Sequence, residues 1–240
     1  MADIQNLRTS AETGLSNLFE AARKGFASEE AIAREEAFRF FEAAGLPSRR
    51  VEAFKYTDLR AAMKEAVPPA EAPSPEAAQA AVASAKGFAH LDAARLTFVN
   101  GHLVRPLSDL DGLPAGLTIT PLNDAMGKSD ARLRLLAPDE QARENPIYQL
   151  NTAFLADGAL ISVAPGTKIE RALHLRFVGT GSEGFSTATR VLVDLGDGAE
   201  FTLLESHEGP DSITYQPNDA LDVRVGKQAV FRHARLNREG

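Results

Sequence analysis

Hydrophobic and polar positions change their period partway along the chain. From about Ser10 to Met63 apolar residues recur at helical spacing. In EEAIAREEAFRFFEAAG, Ala37, Phe38, Phe41 and Ala44 fall on one face and the charges on the other. Ser28 stands where an N-cap is expected, and Gly45 followed by Pro47 supplies the stop. Thr57 or Asp58 can open a further short helix, TDLRAAMKEA, so RRVEAFKYTDLRAAM spans a turn between two helices. VPPAEAPSPE then holds Pro68, Pro69, Pro73 and Pro75, which resist both helix and central strand and read as a surface linker.

From Leu96 the pattern shortens. LTFVNGHLV places Phe98 and Val99 before Asn100-Gly101, the dipeptide that most favours a type I′ hairpin turn. LTITP adds a short strand, and LNDAMGKSDARLRLLAPDEQARE looks mostly helical. Beyond about Leu150 three segments superimpose: Val163 to Ile169, Leu195 to Phe201 and Val225 to Phe231. Each runs from an aliphatic residue through a turn to another apolar residue, with a strand-like stretch after it. The starts lie 32 and 30 residues apart, a period that suggests the coils of a β-solenoid, with an antiparallel sandwich as the alternative. The expected organisation is α+β. A mainly helical region spans 1–95, with its Pro-rich linker near 67–75, and a mixed hairpin and helix region connects it over 96–148. A β-helix core follows over 149–240, incomplete at its C-terminal side.

Composition narrows the function classes. The 240 residues, 44% of them hydrophobic, can bury a sizeable core. A net charge of −7 argues against a protein that neutralises phosphates, so no nucleic-acid partner is expected. Without cysteine the chain offers no disulfide, no thiolate nucleophile and no thiolate metal ligand. The first residues lack the basic and apolar regions of a signal peptide, and no apolar run approaches a membrane span. A soluble cytoplasmic chain with no membrane partner is expected.

Several motifs invite a chemical reading and resist it. Gly179-Thr-Gly181-Ser-Glu-Gly184 matches the dinucleotide fingerprint, but FSTATRVLVDL after it reads as a strand, where the fingerprint needs a helix. Gly127-Lys128-Ser129 resembles the end of a phosphate-binding loop, but Leu122 stands where the first glycine belongs. Ser182 is no nucleophile elbow, because Thr180 occupies a glycine position. Among the histidines, His174, His207 and His233 lie 11, 12 and 8 residues after the starts of their segments, so two can be neighbours and the third is out of register. In HLRF, Leu173 and Leu175 are expected inward and His174 outward. Glu205, His207 and Glu208 form the best local grouping of acid and imidazole, explained without a metal by hydrogen bonds at a strand end. Asp194 and Asp197 read as turn formers. Arg49, Arg50 and Lys55 read as a solvated basic rim, with a partner contact as the alternative.

RRVEAFKYTDL resembles the signature of the SufD family of iron-sulfur cluster assembly scaffolds, with Phe54 in the aromatic place and Lys55-Tyr56-Thr57 after it. The similarity continues in order through FVNGHLVRPLSDLDGLPAGLTITPL, LNTAFLADGALISVAPGTKIERALHLRF, RVLVDLGDGAEFTLLESHEG and VGKQAVFRHARLNRE. The resemblance implies a helical N-terminal region leading into a right-handed β-helix. It also implies a non-catalytic scaffold that pairs with a SufB-like subunit and engages a SufC-like ATPase. The iron-sulfur cluster, with flavin as a further candidate, then belongs to the assembled complex, and no cofactor is bound by this chain alone.

The family's histidine at the SufB interface lies in a later part of its members, and so does the region that contacts SufC. No residue is therefore carried over: catalytic none, cofactor-binding none, metal none. The chain is expected to be the front part of a longer subunit and not to capture SufC alone. The competing reading is a β-helix protein that binds or cleaves polysaccharide. The absence of Trp and the dispersion of Tyr56, Tyr148 and Tyr215 disfavour it. A membrane transporter component fails for want of spanning segments.

Overall fold

A computed structural model describes residues 8–26, 28–128, 130, 139–211 and 213–238. The chain divides into two compact units, Met1–Pro68 with Pro138–Leu155 and Pro69–Ala137 with Ala156–Gly240.

The first unit is helical. Helix α1 (Ser10–Ala22) begins with a capping box: Glu12 N–H donates to Thr9 Oγ1 at 3.1 Å, and Thr9 N–H donates to Glu12 Oε2 at 2.7 Å. The other Glu12 oxygen accepts the Leu46 N–H at 2.8 Å, which stitches the start of α1 to the turn after α2 (Ser28–Ala44). Burial disfavours the charge on Glu12, but the backbone donors of Thr9 and Leu46 hold its carboxyl below the usual range. Ala37, Phe38 and Phe41 face the core as their spacing predicts, whereas Ala44 is exposed. Gly45 ends the helix at φ 71°, its N–H donating to Phe41 O. The capping side chain expected of Ser28 lies outside the described residues.

Asp58 caps the short helix α3 (Leu59–Ala62) by accepting the Ala61 N–H. TDLRAAMKEA therefore supplies a single helical turn, stopped by extended backbone at Met63. Of the helical expectation for residues 122–144, α6 (Glu140–Arg143) forms in this unit and α5 (Leu122–Gly127) in the other; residues 129 and 131–138 lie outside the described residues. Helix α7 (Pro146–Phe154), capped by Asn145, completes this unit. Phe19 and Phe38 stack at 4.0 Å between centroids, and Phe154 meets both edge-on.

In the second unit, Ser74 caps and Pro75 opens a helix α4 (Pro75–Ser84), which starts at the end of the Pro-rich stretch. Two sheets follow. One runs β2 (His102–Leu103), β1 (Ala93–Val99), β5 (Ala172–Val178), β7 (Glu200–Glu208), β9 (Val230–Arg238). The other runs β3 (Leu117–Pro121), β4 (Asp157–Val163), β6 (Phe185–Leu195), β8 (Tyr215–Val225). Asn100 and Gly101 join β1 to β2 as the expected two-residue hairpin, both with positive φ.

The right-handed β-helix expected from the sequence is not what forms. The described residues make an α/β arrangement of two separate sheets with mixed pairing: β1–β2 and β3–β4 are antiparallel, and the other neighbours are parallel. The repeat is real as register, since Val163, Leu195 and Val225 are successive partners. What fails is closure of a solenoid. The chain alternates between two sheets, and the Gly-rich connection at 179–184 carries no strand that would build a further wall.

Parallel register arranges inward side chains in rows. Ala94, Leu173, Leu203 and His233 form one row, Leu96, Leu175, Glu205 and Arg235 the next, and Phe98, Phe177, His207 and Asn237 a third. On the facing sheet Asp157, Thr189 and Asp219 align, as do Ala159, Val191 and Leu221. The apolar members of both sets share one core. Gly158 is required beside it, because a Cβ there would lie 1.8 Å from the Arg190 carbonyl oxygen.

Candidate functional site

Each row that is apolar on β1 and β5 turns polar on β7 to β9. Alternation along β7 points Phe201, Leu203, Glu205 and His207 the same way, so two titratable groups enter the interior that Leu175 and Phe177 fill one strand earlier. Glu205 is 4% and His207 2% exposed. His207 Nε2 lies 2.5 Å from Glu205 Oε1, and its Nδ1 lies 3.4 Å from Asp219 Oδ2, across on the other sheet. The imidazole stacks on Phe177 at 4.6 Å. Strand β9 adds His233, with Nε2 3.1 Å from Glu205 Oε2, and Arg235, with Nη1 3.2 Å from Glu205 Oε1. Asp219 also accepts a hydrogen bond from the Thr189 hydroxyl.

Opposing effects act on both central groups. Burial disfavours imidazolium, but hydrogen bonds to Asp219 and Glu205 overcome it and lift the His207 pKa above its ordinary value. Burial likewise disfavours the Glu205 carboxylate, and the hydrogen bond and charge of His207, with Arg235 and His233, hold it below the usual carboxylate range. Both histidine Nε2 atoms are engaged by one carboxylate, beside a guanidinium. The chemistry is that of a proton-sharing ion-pair network, and no group of three or more metal-binding side chains is arranged around a cation among the described residues.

The sequence-level grouping of Glu205, His207 and Glu208 is divided by the strand. Glu208 points to the opposite face, where it accepts the backbone N–H groups of Lys86 and Gly87 at 2.9 and 2.8 Å. His207 and His233 meet through Glu205, and His174 stands apart from them. His174 does turn away from Leu173 and Leu175, but it is not solvent-facing: it is 1% exposed. This burial on the outer face has a local cause, since Phe88, in the turn after α4, sets its ring edge-on to the imidazole at 5.5 Å. His174 Nε2 pairs with Ser206 Oγ at 2.8 Å, and burial pushes its pKa down to about 4.

Asp197 behaves as a turn former, accepting the Lys227 N–H, whereas Asp194 makes a two-pronged ion pair with Arg224 at 2.7 Å. The Gly179–Gly184 stretch leads into strand β6, so the helix that a dinucleotide site needs is missing there. In the basic rim, Lys55 pairs with Glu52 at 2.8 Å and Arg49 with Asp58 at 3.5 Å, while Tyr56 stands 90% exposed. Sequence reasoning missed Asp219, Thr189 and Arg235. The signal was present as spacing: Thr189 and Asp219, like Glu205 and Arg235, are 30 residues apart, the same step as the repeat.

Comparison with known proteins agrees with the motif at Arg49–Leu59. A family model described as the SufBD protein N-terminal region matches residues 9–175. The chain belongs to the SufBD family. An iron-sulfur cluster assembly SufBD family protein of Synechocystis sp. is 24% identical over 205 residues, which cover 81% of this chain and 44% of that protein. The chain thus spans less than half the length of this curated SufBD relative. Glu205, His207, Asp219, His233 and Arg235 all lie beyond the residues matched by the family model. No described helix is long and apolar enough to cross a membrane.

Proposed function

We propose that the chain serves as a non-catalytic scaffold subunit in iron-sulfur cluster assembly, working in the cytoplasm with a SufB-like subunit and a SufC-like ATPase. The observation that carries this reading is the family match over residues 9–175, joined to a relative named for cluster assembly. Composition supports the scaffold role. Iron-sulfur clusters are held chiefly by cysteine thiolates, and none of the 240 residues is cysteine. The cluster is then cargo of the assembled complex, ligated by sulfur that a partner supplies.

The basic rim around Arg50 and Lys55 and the exposed Tyr56 are the motif residues this reading would place at a partner contact. The test is to remove the gene from its own cells and measure the activity of cluster-dependent enzymes. A loss restored by the intact gene is expected, with the protein co-purifying with a SufB-like chain and a SufC-like ATPase. Unchanged cluster enzymes under iron limitation and oxidative stress would overturn the reading. Reversing charge with Arg50→Glu and Lys55→Glu should weaken the co-purification while leaving the fold intact.

A further inference from the structure

The polar interior of β7 to β9 places one imidazole between two carboxylates on facing sheets. A neutral histidine has one N–H, and an imidazolium has two. His207 Nε2 stands 2.5 Å from Glu205 Oε1 and Nδ1 3.4 Å from Asp219 Oδ2. Only the protonated ring can donate to both. We propose that Glu205, His207 and Asp219 form a proton-dependent latch that closes the two sheets on each other at the β7–β8 layer.

The groups facing the imidazole account for each state. From its own strand comes Glu205, from β8 Asp219, and from β5 the ring of Phe177. Strand β9 sets His233 and Arg235 on Glu205, and β6 sets the Thr189 hydroxyl on Asp219. With the proton present, a positive charge is shared between two buried acids. When it leaves, one nitrogen lone pair faces a carboxylate oxygen. The remaining N–H stays on the closer acceptor, Glu205 at 2.5 Å, and Asp219 at 3.4 Å keeps Thr189, so the contact that fails is the one crossing between the sheets. Among the described residues β8 pairs within its own sheet with β6, so loss of that tie loosens its hold on the facing sheet.

A route for the proton exists. A cleft of about 30 Å³ is bordered by Gly101, Phe185, Tyr215, His207 and Asp219. That is space for a water molecule or two. The direction of the His207 shift, above its ordinary value, agrees with a ring that holds its proton in the closed state.

The test uses the full chain. The His207 ring resonances, assigned with His207→Gln, are followed by NMR from pH 5 to 9.5. Amide hydrogen exchange is measured over the same range and corrected for base catalysis. Protection of β8 amides should fall about tenfold or more as His207 loses its proton above pH 6.5, while β1 and β5 amides hold. Asp219→Asn, which keeps the shape and removes one charge, should move the His207 titration to lower pH and flatten the β8 response. Titration of His207 below pH 6.5, or β8 protection that tracks β1 at every pH, would leave an ordinary buried ion pair and end the proposal. Should His207→Gln not fold, wild-type titration against Asp219→Asn decides the matter.

Discussion

The layer between β1, β5 and β4 and the layer between β7, β8 and β9 are built on one register and filled with opposite chemistry. The first holds Phe98 and Leu96, and the second holds His207, Glu205 and Arg235 at matching row positions, while on the facing sheet the row that reaches Asp219 starts from Asp157. Apolar packing is indifferent to pH and penalises only lost volume. A buried ion-pair network tolerates its desolvation only while every charge is matched, so it converts proton concentration into structure. The same backbone repeat therefore supports a fixed layer and a conditional one.

The largest effect is expected where the apolar layer is breached. Phe98→Ala removes a fully buried ring stacked 4.9 Å from Phe177 and should destabilise the fold by about 4 kcal/mol at any pH, read from urea unfolding. A result that varied strongly between pH 6 and 8 would dissolve the distinction between the layers.

Next comes His174, on the outer face of β5 beneath Phe88. Its folded pKa of about 4 lies below the unfolded value near 6.5. Between those values the unfolded chain binds the extra proton, so stability is fully present above pH 6.5 and falls as pH drops toward 4. The loss reaches about 3 kcal/mol, and His174→Gln should remove most of it. His207 runs the other way: its folded pKa is raised, so its contribution is present below about 6.5 and is lost as pH rises through the folded value. Glu205, held low, loses its contribution as pH falls below the carboxylate range. The latch is therefore strongest in the interval between.

The smallest change in stability should come from making the polar layer copy the apolar one. Glu205→Leu with His207→Phe repeats the residues at Leu175 and Phe177, Asp219→Thr repeats its row neighbour Thr189, and replacing a buried ionic network as a whole by groups without charge is often neutral or stabilising by about 1 kcal/mol or more. Thermal unfolding of this triple variant should lose the alkaline sensitivity of the parent. A variant that keeps it would show that the sensitivity does not arise at His207.

Much of the local structure was legible. The period of Ala37, Phe38 and Phe41, the Gly45 stop, the Asn100-Gly101 hairpin and the repeat at Val163, Leu195 and Val225 depend on neighbours within a few residues or on a constant step. The Arg49–Leu59 motif was enough to point to the family. One reading failed, because the β-helix required a strand where 179–184 has none. The outward direction of His174 was legible, but its burial under Phe88 was not. Both depended on what packs against a segment from elsewhere in the chain.

By itself the sequence determined the helices, the turns, the strand step and the absence of any thiol, because these follow from side-chain periodicity and residue chemistry. Tertiary structure alone decided that strands would alternate between two sheets, that Phe88 would cover His174, and that Asp219 would face His207. Burial and charge pairing are properties of spatial neighbours, and neighbours from different strands are set by register and by covering segments. Even the 30-residue step that aligned Glu205 with Arg235 acquired meaning only once the two side chains were found as an ion pair.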